Sequence, residues 1–170
     1  MSNFQLKYRA LEPEDATMLF LWENDLEINE VSLSKVPFSK YILEKYIDQA
    51  HLDIQQAGQY RFVLEDLEGN AVGCVDLFDY DAVDRRAAIG IIIEKKYRQQ
   101  GFAREAISLM KDYAFNRIGM HQLYCSVGVN NVKSLKLFES AGFNQIGVRK
   151  DWSFRNGAFH DVVEFQLINN

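Results

Sequence analysis

The stretch Ile91-Ile92-Ile93-Glu94-Lys95-Lys96-Tyr97-Arg98-Gln99-Gln100-Gly101-Phe102-Ala103-Arg104 sets the reading of this chain. Ile89 to Ile93 is almost continuously apolar, as in a strand covered on both faces. After Gly101 the period changes. Ala103, Ala106, Ile107, Met110 and Ala114 fall at helical spacing, which predicts a helix from about Gly101 to Arg117. Between strand and helix lies a loop carrying Lys95, Lys96 and Arg98, with Arg104 just beyond, opposed nearby only by Glu94 and Glu105. Free backbone N–H groups and the helix dipole make such a helix start attractive to phosphate, and glycine permits close approach. The spacing matches neither the G-x-x-x-x-G-K-[ST] of a nucleotide triphosphate loop nor the G-x-G-x-x-G of a dinucleotide fold. By itself the stretch also reads as a solvated basic turn beside an ordinary helix-start glycine.

Working outward, Gln122 to Val129 reads as a strand and Asn131 to Ser140 as a short helix stopped by Gly142 in a left-handed C′ position. Two final strands fit Asn144 to Lys150 and Phe159 to Ile168, around an Asn156-Gly157 turn. Upstream, Tyr60 to Glu65, Ala71 to about Tyr80, and Arg85 to Ile93 are strands separated by turn clusters at Asp66–Asn70 and Asp81–Asp84. Ile42, Leu43, Tyr46, Ile47, Ala50 and Ile54 predict a helix that starts from Ser39 as N-cap and ends before Gly58. Asp25 to Pro37 reads as a connection rich in acids and serines. A first helix begins at Pro13, with Glu14 and Asp15 near its positive end, and fades near Asn24; a first strand covers Gln5 to Arg9. The order β-α-α-β-β-β-α-β-α-β-β, with no repeat and no linker, predicts one mixed α/β domain over residues 1–170.

Composition agrees with a single core: 170 residues, 48% apolar and 25% charged. The formal charge of −5 is unevenly placed, because residues 1–60 hold ten acids against five bases while the remainder is balanced. A pI near 5.2 argues against a nucleic-acid partner, which calls for a basic footprint. The polar start of the chain lacks a signal-peptide core, and no apolar run approaches the roughly 20 residues of a membrane helix. Cys74 and Cys125 are solitary and the three histidines are scattered, so neither a disulfide framework nor a metal site is expected. A cytoplasmic enzyme or binding domain remains.

Arg98-Gln99-Gln100-Gly101-Phe102-Ala103 resembles the [QR]-x-x-G-x-[GA] motif of the GNAT N-acetyltransferases, which cradles the pyrophosphate of acetyl-CoA. Asn131-Val132-Lys133-Ser134, followed by Leu135 to Phe143, is similar to that family's second signature, about thirty residues downstream. The resemblance is nearest to the spermidine acetyltransferases and the ribosomal-protein N-terminal acetyltransferases. It implies a single domain with a mixed, mostly antiparallel central sheet flanked by helices. It also implies that Ile91, Ile92 and Ile93 offer backbone groups to the pantetheine arm. Arg98, Gln99, Gln100, Gly101, Phe102, Ala103 and Arg104 would hold the pyrophosphate, and Asn131 would bond the cofactor through its amide. Asn131 also suits the N-cap of the short helix, and one residue can serve both roles. Many relatives have glycine directly after the first motif residue, where this chain has Gln99.

The implied chemistry is attack of an amine on a thioester. An alkylammonium of pKa about 10.4 is mostly protonated at neutral pH, so a proton must leave before attack. The developing oxyanion needs an N–H donor, and the departing thiolate takes up a proton. Many relatives supply that proton from a tyrosine seven residues after the asparagine. Here that position is Phe138, so no catalytic acid is assigned. Ser134 lies one helical turn from Phe138 and could approach the sulfur, against the alternative of a solvated helix serine; spacing selects none of Tyr97, Tyr113 and Tyr124, and direct protonation by water is a further route. Glu23, Asp25, Glu27 and Glu30 lie together without a base between them, in the connection that borders the acceptor groove in the family. Glu23, Glu27 and Glu30, with Asp76 from an apolar strand, are therefore the candidate acceptor residues, against the alternative of a solvated acidic loop. The substrate expected is a small cationic amine, first a polyamine. A protein N-terminus is the second reading, and a low-turnover acetyl-CoA sensor the third. Some relatives assemble into homo-oligomers; this sequence leaves that open.

Overall fold

The computed structural model describes residues 5–31 and 36–170, the side chains of 29–31 excepted. Strand β1 (Lys7–Arg9) leads through a 3₁₀ turn at Pro13–Asp15 into α1 (Ala16–Glu23). The acidic connection expected after it contains a helix of its own, α2 (Leu26–Val31), started by the Asp25 carboxylate accepting from Glu27 N–H. Ser39 caps α3 (Lys40–Asp48), its hydroxyl accepting from Ile42 N–H at 3.2 Å. The helix predicted through Ile54 is broken. A new N-cap at Asp53 starts α4 (Ile54–Ala57), which Gly58 ends at φ +69°. Local side-chain capping at Asp53 thus outweighs a continuous apolar period.

Strands β2 (Tyr60–Glu65), β3 (Ala71–Asp81) and β4 (Arg86–Ile93) follow as antiparallel neighbours. Helix α5 (Phe102–Asp112) buries Phe102, Ala106, Ile107 and Met110, one stripe at the spacing seen in the sequence. Fully burying side chains such as Ile107 and Met110 stabilises by about 1.5–3 kcal/mol each. The stripe continues through a π-helical turn at Tyr113–Arg117, where Ile118 N–H donates to the Tyr113 carbonyl. Then come β5 (Gln122–Gly128), α6 (Val132–Ser140), β6 (Asn144–Arg155) and β7 (Ala158–Ile168). Gly142 has φ +92°, the left-handed position predicted for it. β6 runs on to Arg155, past its expected end, through a bulge where Asp151 takes φ +49°.

The seven strands form one sheet in the order β1-β2-β3-β4-β5-β7-β6, antiparallel except where β4 meets β5. One face carries α5 and α6 over Leu64, Val75, Leu77, Ile89 and Phe165. The other carries α1 and α3 over Val63 and Cys74, with Leu19, Trp22, Leu43 and Ile47 between. Trp22 is therefore a core residue.

Candidate active site

Strands β4 and β5 pair only at Arg86–Gln122, Ala87–Leu123 and Ala88–Tyr124, and beyond Ala88 they part. The opening is a cavity of about 380 Å³ with Ile89–Ile92 on one wall and Tyr124–Val127 on the other. On that side Ile89–Ile92 have no strand partner among the described residues, so the backbone groups not bonded to β3 face the opening. Ile93 ends the strand, its carbonyl accepting from Arg98 Nε at 2.9 Å. Asn131 caps α6, its side-chain oxygen accepting from Ser134 N–H at 3.1 Å, and both residues line the cavity.

The loop that follows β4 ends at Gly101, which has φ +90° and no atom within 4 Å of where a Cβ would sit. The Gly101 carbonyl accepts from Arg104 and Glu105 N–H, which starts α5. The N–H groups of Phe102 and Ala103, in the first turn, have no intrahelical acceptor. Gln99 stands at φ +64°, a conformation that costs a side-chain-bearing residue roughly 1–2 kcal/mol and that glycine takes freely. Gln100 is turned back on the loop, its amide donating to the Lys96 carbonyl at 2.8 Å.

A second, wider cavity of about 710 Å³ opens beside the first, between α3, α4 and the sheet. Its wall is aromatic, with Phe38, Tyr46, Tyr60, Phe78 and Tyr80. At the boundary of the two cavities Arg61 donates to Asp76 through Nε and Nη2, both at 2.7 Å, and to Glu23 through Nη1. Burial works against the Arg61 charge, but the two carboxylates more than offset this and hold the guanidinium protonated far above its usual range. Glu23 is 7% exposed, so this arrangement is a nearly dry ion triad carrying one net negative charge. Burial pushes the Tyr46 hydroxyl up to about 12 beside it. Glu27 points elsewhere. Its carboxylate pairs with Lys95 and, at 3.2 Å, with Arg98, and the Lys95 bond holds it below the ordinary glutamate range. The Glu30 side chain lies outside the described residues.

A profile of the acetyltransferase (GNAT) domain matches residues 5–144. The chain belongs to the GNAT acetyltransferase family. The spermidine N(1)-acetyltransferase of Vibrio cholerae is 30% identical over 99% of this chain and 95% of its own length. A putative ribosomal N-acetyltransferase of Bacillus subtilis is 31% identical over 59% of this chain and 55% of its own. The crystal structure of the Vibrio cholerae spermidine N-acetyltransferase in complex with CoA and spermine superposes with a TM-score of 0.89 at 31% identity, covering 96% of this chain and 95% of that one. A dodecameric structure of the Vibrio cholerae enzyme gives a TM-score of 0.82. As a GNAT enzyme the protein is an N-acetyltransferase with acetyl-CoA as co-substrate.

The residues present fit that co-substrate. The parted strands leave unpartnered backbone along β4, and the Gly101 loop leaves open space where a side chain would otherwise stand at a helix start. Arg98 is bound to the Ile93 carbonyl and Glu27, so its first task is to fix the loop; Arg104 stands exposed on the first turn of α5. Of the three tyrosines that spacing could not separate, Tyr124 lines the cleft. Tyr113 packs edge-on against Tyr8 and Phe62, and Tyr97 against Phe102. Burial, with the Asp79 carboxylate adding to it, raises the Tyr124 hydroxyl above its ordinary range. Phe138 is buried against Phe143 and Phe165 at the back of the cleft. Arg61 carried no sequence signal. One arginine in a strand reads as an edge residue until the strand's neighbours are known.

Proposed function

We propose that this GNAT enzyme transfers an acetyl group to a linear polyamine of the spermidine and spermine class. The observation that carries the reading is the wider cavity. Its aromatic wall suits an alkyl chain, and Glu23, Asp76 and Asp79 outnumber the single cation Arg61 where it meets the cleft. Relatives named for spermidine and spermine support the same reading. In it Ile91–Ile93, Arg98–Arg104 and Asn131 hold the co-substrate, and residues 1–170 act as one catalytic domain.

Bound acetyl-CoA supplies the activated acyl group as a thioester. The chain contributes position and field. Unpartnered backbone along β4 offers hydrogen bonds to an extended ligand, as an added strand would. The Glu23–Arg61–Asp76 triad draws a cation to the cavity boundary with its single net charge. The Tyr124 hydroxyl keeps its proton at neutral pH on the cleft wall, whereas Phe138 has none to give.

Thiol release from acetyl-CoA, followed with spermidine, spermine, a basic N-terminal peptide and no acceptor, tests the proposal. Saturable turnover with the polyamines is expected. Turnover with the peptide alone would move the function to protein N-termini, and cofactor binding without turnover on any amine would make the chain a sensor. The reading extends to a homo-oligomer, supported by a relative described as dodecameric, and light scattering of the purified chain checks it. It also places the enzyme in the cytoplasm, which suits the free thiols of Cys74 and Cys125.

A further inference from the structure

In a straight strand Asp76 and Asp79 project to opposite faces, because three positions separate them. The structure changes this. The β3–β4 register shifts between Phe78 and Asp81, and Tyr80 N–H leaves the ladder to donate to the Gly58 carbonyl at 3.2 Å. Asp79 turns through φ +49° at this bulge, and both aspartates then line both cavities. Their carboxylates differ in one respect. Asp76 has both oxygens engaged by Arg61, and Glu23 is bound to the same guanidinium. Asp79 is exposed, and no hydrogen bond or ion pair to its side chain occurs among the described residues. It stands where β4 and β5 begin to part, since Phe78 pairs with Ala88 and Ala88 with Tyr124, and the Tyr124 ring lines the same cleft.

We infer that Asp79 is the specificity residue that contacts the acceptor's ammonium group directly, while Glu23 and Asp76 act only through the field of their triad. This rests on the polyamine reading above. Arg61 already binds both oxygens of Asp76 and one of Glu23, so an incoming ammonium meets a cation at the inner carboxylates and none at Asp79, where it gains a charge-assisted hydrogen bond without that repulsion. A left-handed residue held in a bulge at the junction of two cavities is the kind of outlier from which function is inferred. The bulge also supplies a clean test, because asparagine tolerates the left-handed region better than other side chains and keeps the shape of aspartate.

Spermidine binding to the cofactor-free chain by calorimetry, together with steady-state kinetics, separates the outcomes. Asp79→Asn is expected to weaken spermidine binding about tenfold and to raise KM by a similar factor, with kcat changed less. Asp79→Gly, which removes the carboxylate at a φ that glycine accepts, should show the same loss, and Asp79→Glu should recover part of it. Turnover of spermidine by the unaltered chain with an unchanged Kd and KM in Asp79→Asn would overturn this inference and leave the polyamine reading standing. Failure of the unaltered chain to bind or acetylate any polyamine would overturn the polyamine reading, and this inference with it.

Discussion

Along residues 91–104 the end of β4, the basic loop and the start of α5 come from consecutive positions, and their shape follows from one glycine and one helix end. The boundary of the wider cavity instead takes Glu23 from α1, Arg61 from β2 and Asp76 from β3. The first region is local and positive, and it leaves backbone groups without partners. The second is assembled across the sheet, negative by one charge, and consists of side chains bound to one another. The loop's bonds run mostly between near neighbours, whereas the triad is made wholly of partners distant in the chain. The two regions also touch. Glu27, from the acidic side, is held by Lys95 and Arg98 of the basic side.

Breaking the triad should have the largest effect. Arg61→Ala leaves two nearly buried carboxylates without a partner, which costs about 3–5 kcal/mol, and urea unfolding measures it. Next is the alkaline limit. The Tyr46 hydroxyl, at about 12 when folded, ionises only after its unfolded counterpart near 10. A folded pKa raised in this way gives stability that is complete below pH 10 and lost as pH rises towards 12, by about 2–3 kcal/mol for a shift of this size. Unfolding curves at pH 8 and pH 11 should show about half of that loss, and Tyr46→Phe should reduce it.

On the local side, Gly101→Val places a branched side chain at φ +90°, a strain of roughly 1–2 kcal/mol or more, and fills the open space of the loop. CoA affinity should fall at least about tenfold by calorimetry. An unchanged affinity would remove the loop from the cofactor site. The smallest effect is expected where the regions meet. Glu27→Gln releases Lys95 and Arg98, so CoA binding should tighten by a factor of about two to five at low salt and lose the gain at high salt, with little change in melting temperature.

The helix start at Gly101, the cap at Asn131, the left-handed Gly142 and the places of the seven strands, though not the bulged extension of β6 to Arg155, were legible because each depends on a few neighbouring residues. The break before α4 was not, because Asp53 caps a helix that the apolar period alone would have continued. Helix α2 escaped for a related reason: Leu26–Val31 is short, acidic and without a clear period. The acidic segment was legible as a candidate acceptor site but not in its division. Folding divides it, turning Glu23 inward to Arg61 and Glu27 across to Lys95.

The sequence by itself determined the order of the strands and longer helices and the family, because periodicity, caps and a contiguous motif are properties of the chain read locally. Only the tertiary structure decided which carboxylates are free. Pairing across the sheet joins Arg61 to Asp76 and Glu23, and a bulge fixed by the Gly58 carbonyl brings Asp79 to their side. Charge neutralisation and strand facing depend on partners many residues away, and those partners meet only when the sheet closes.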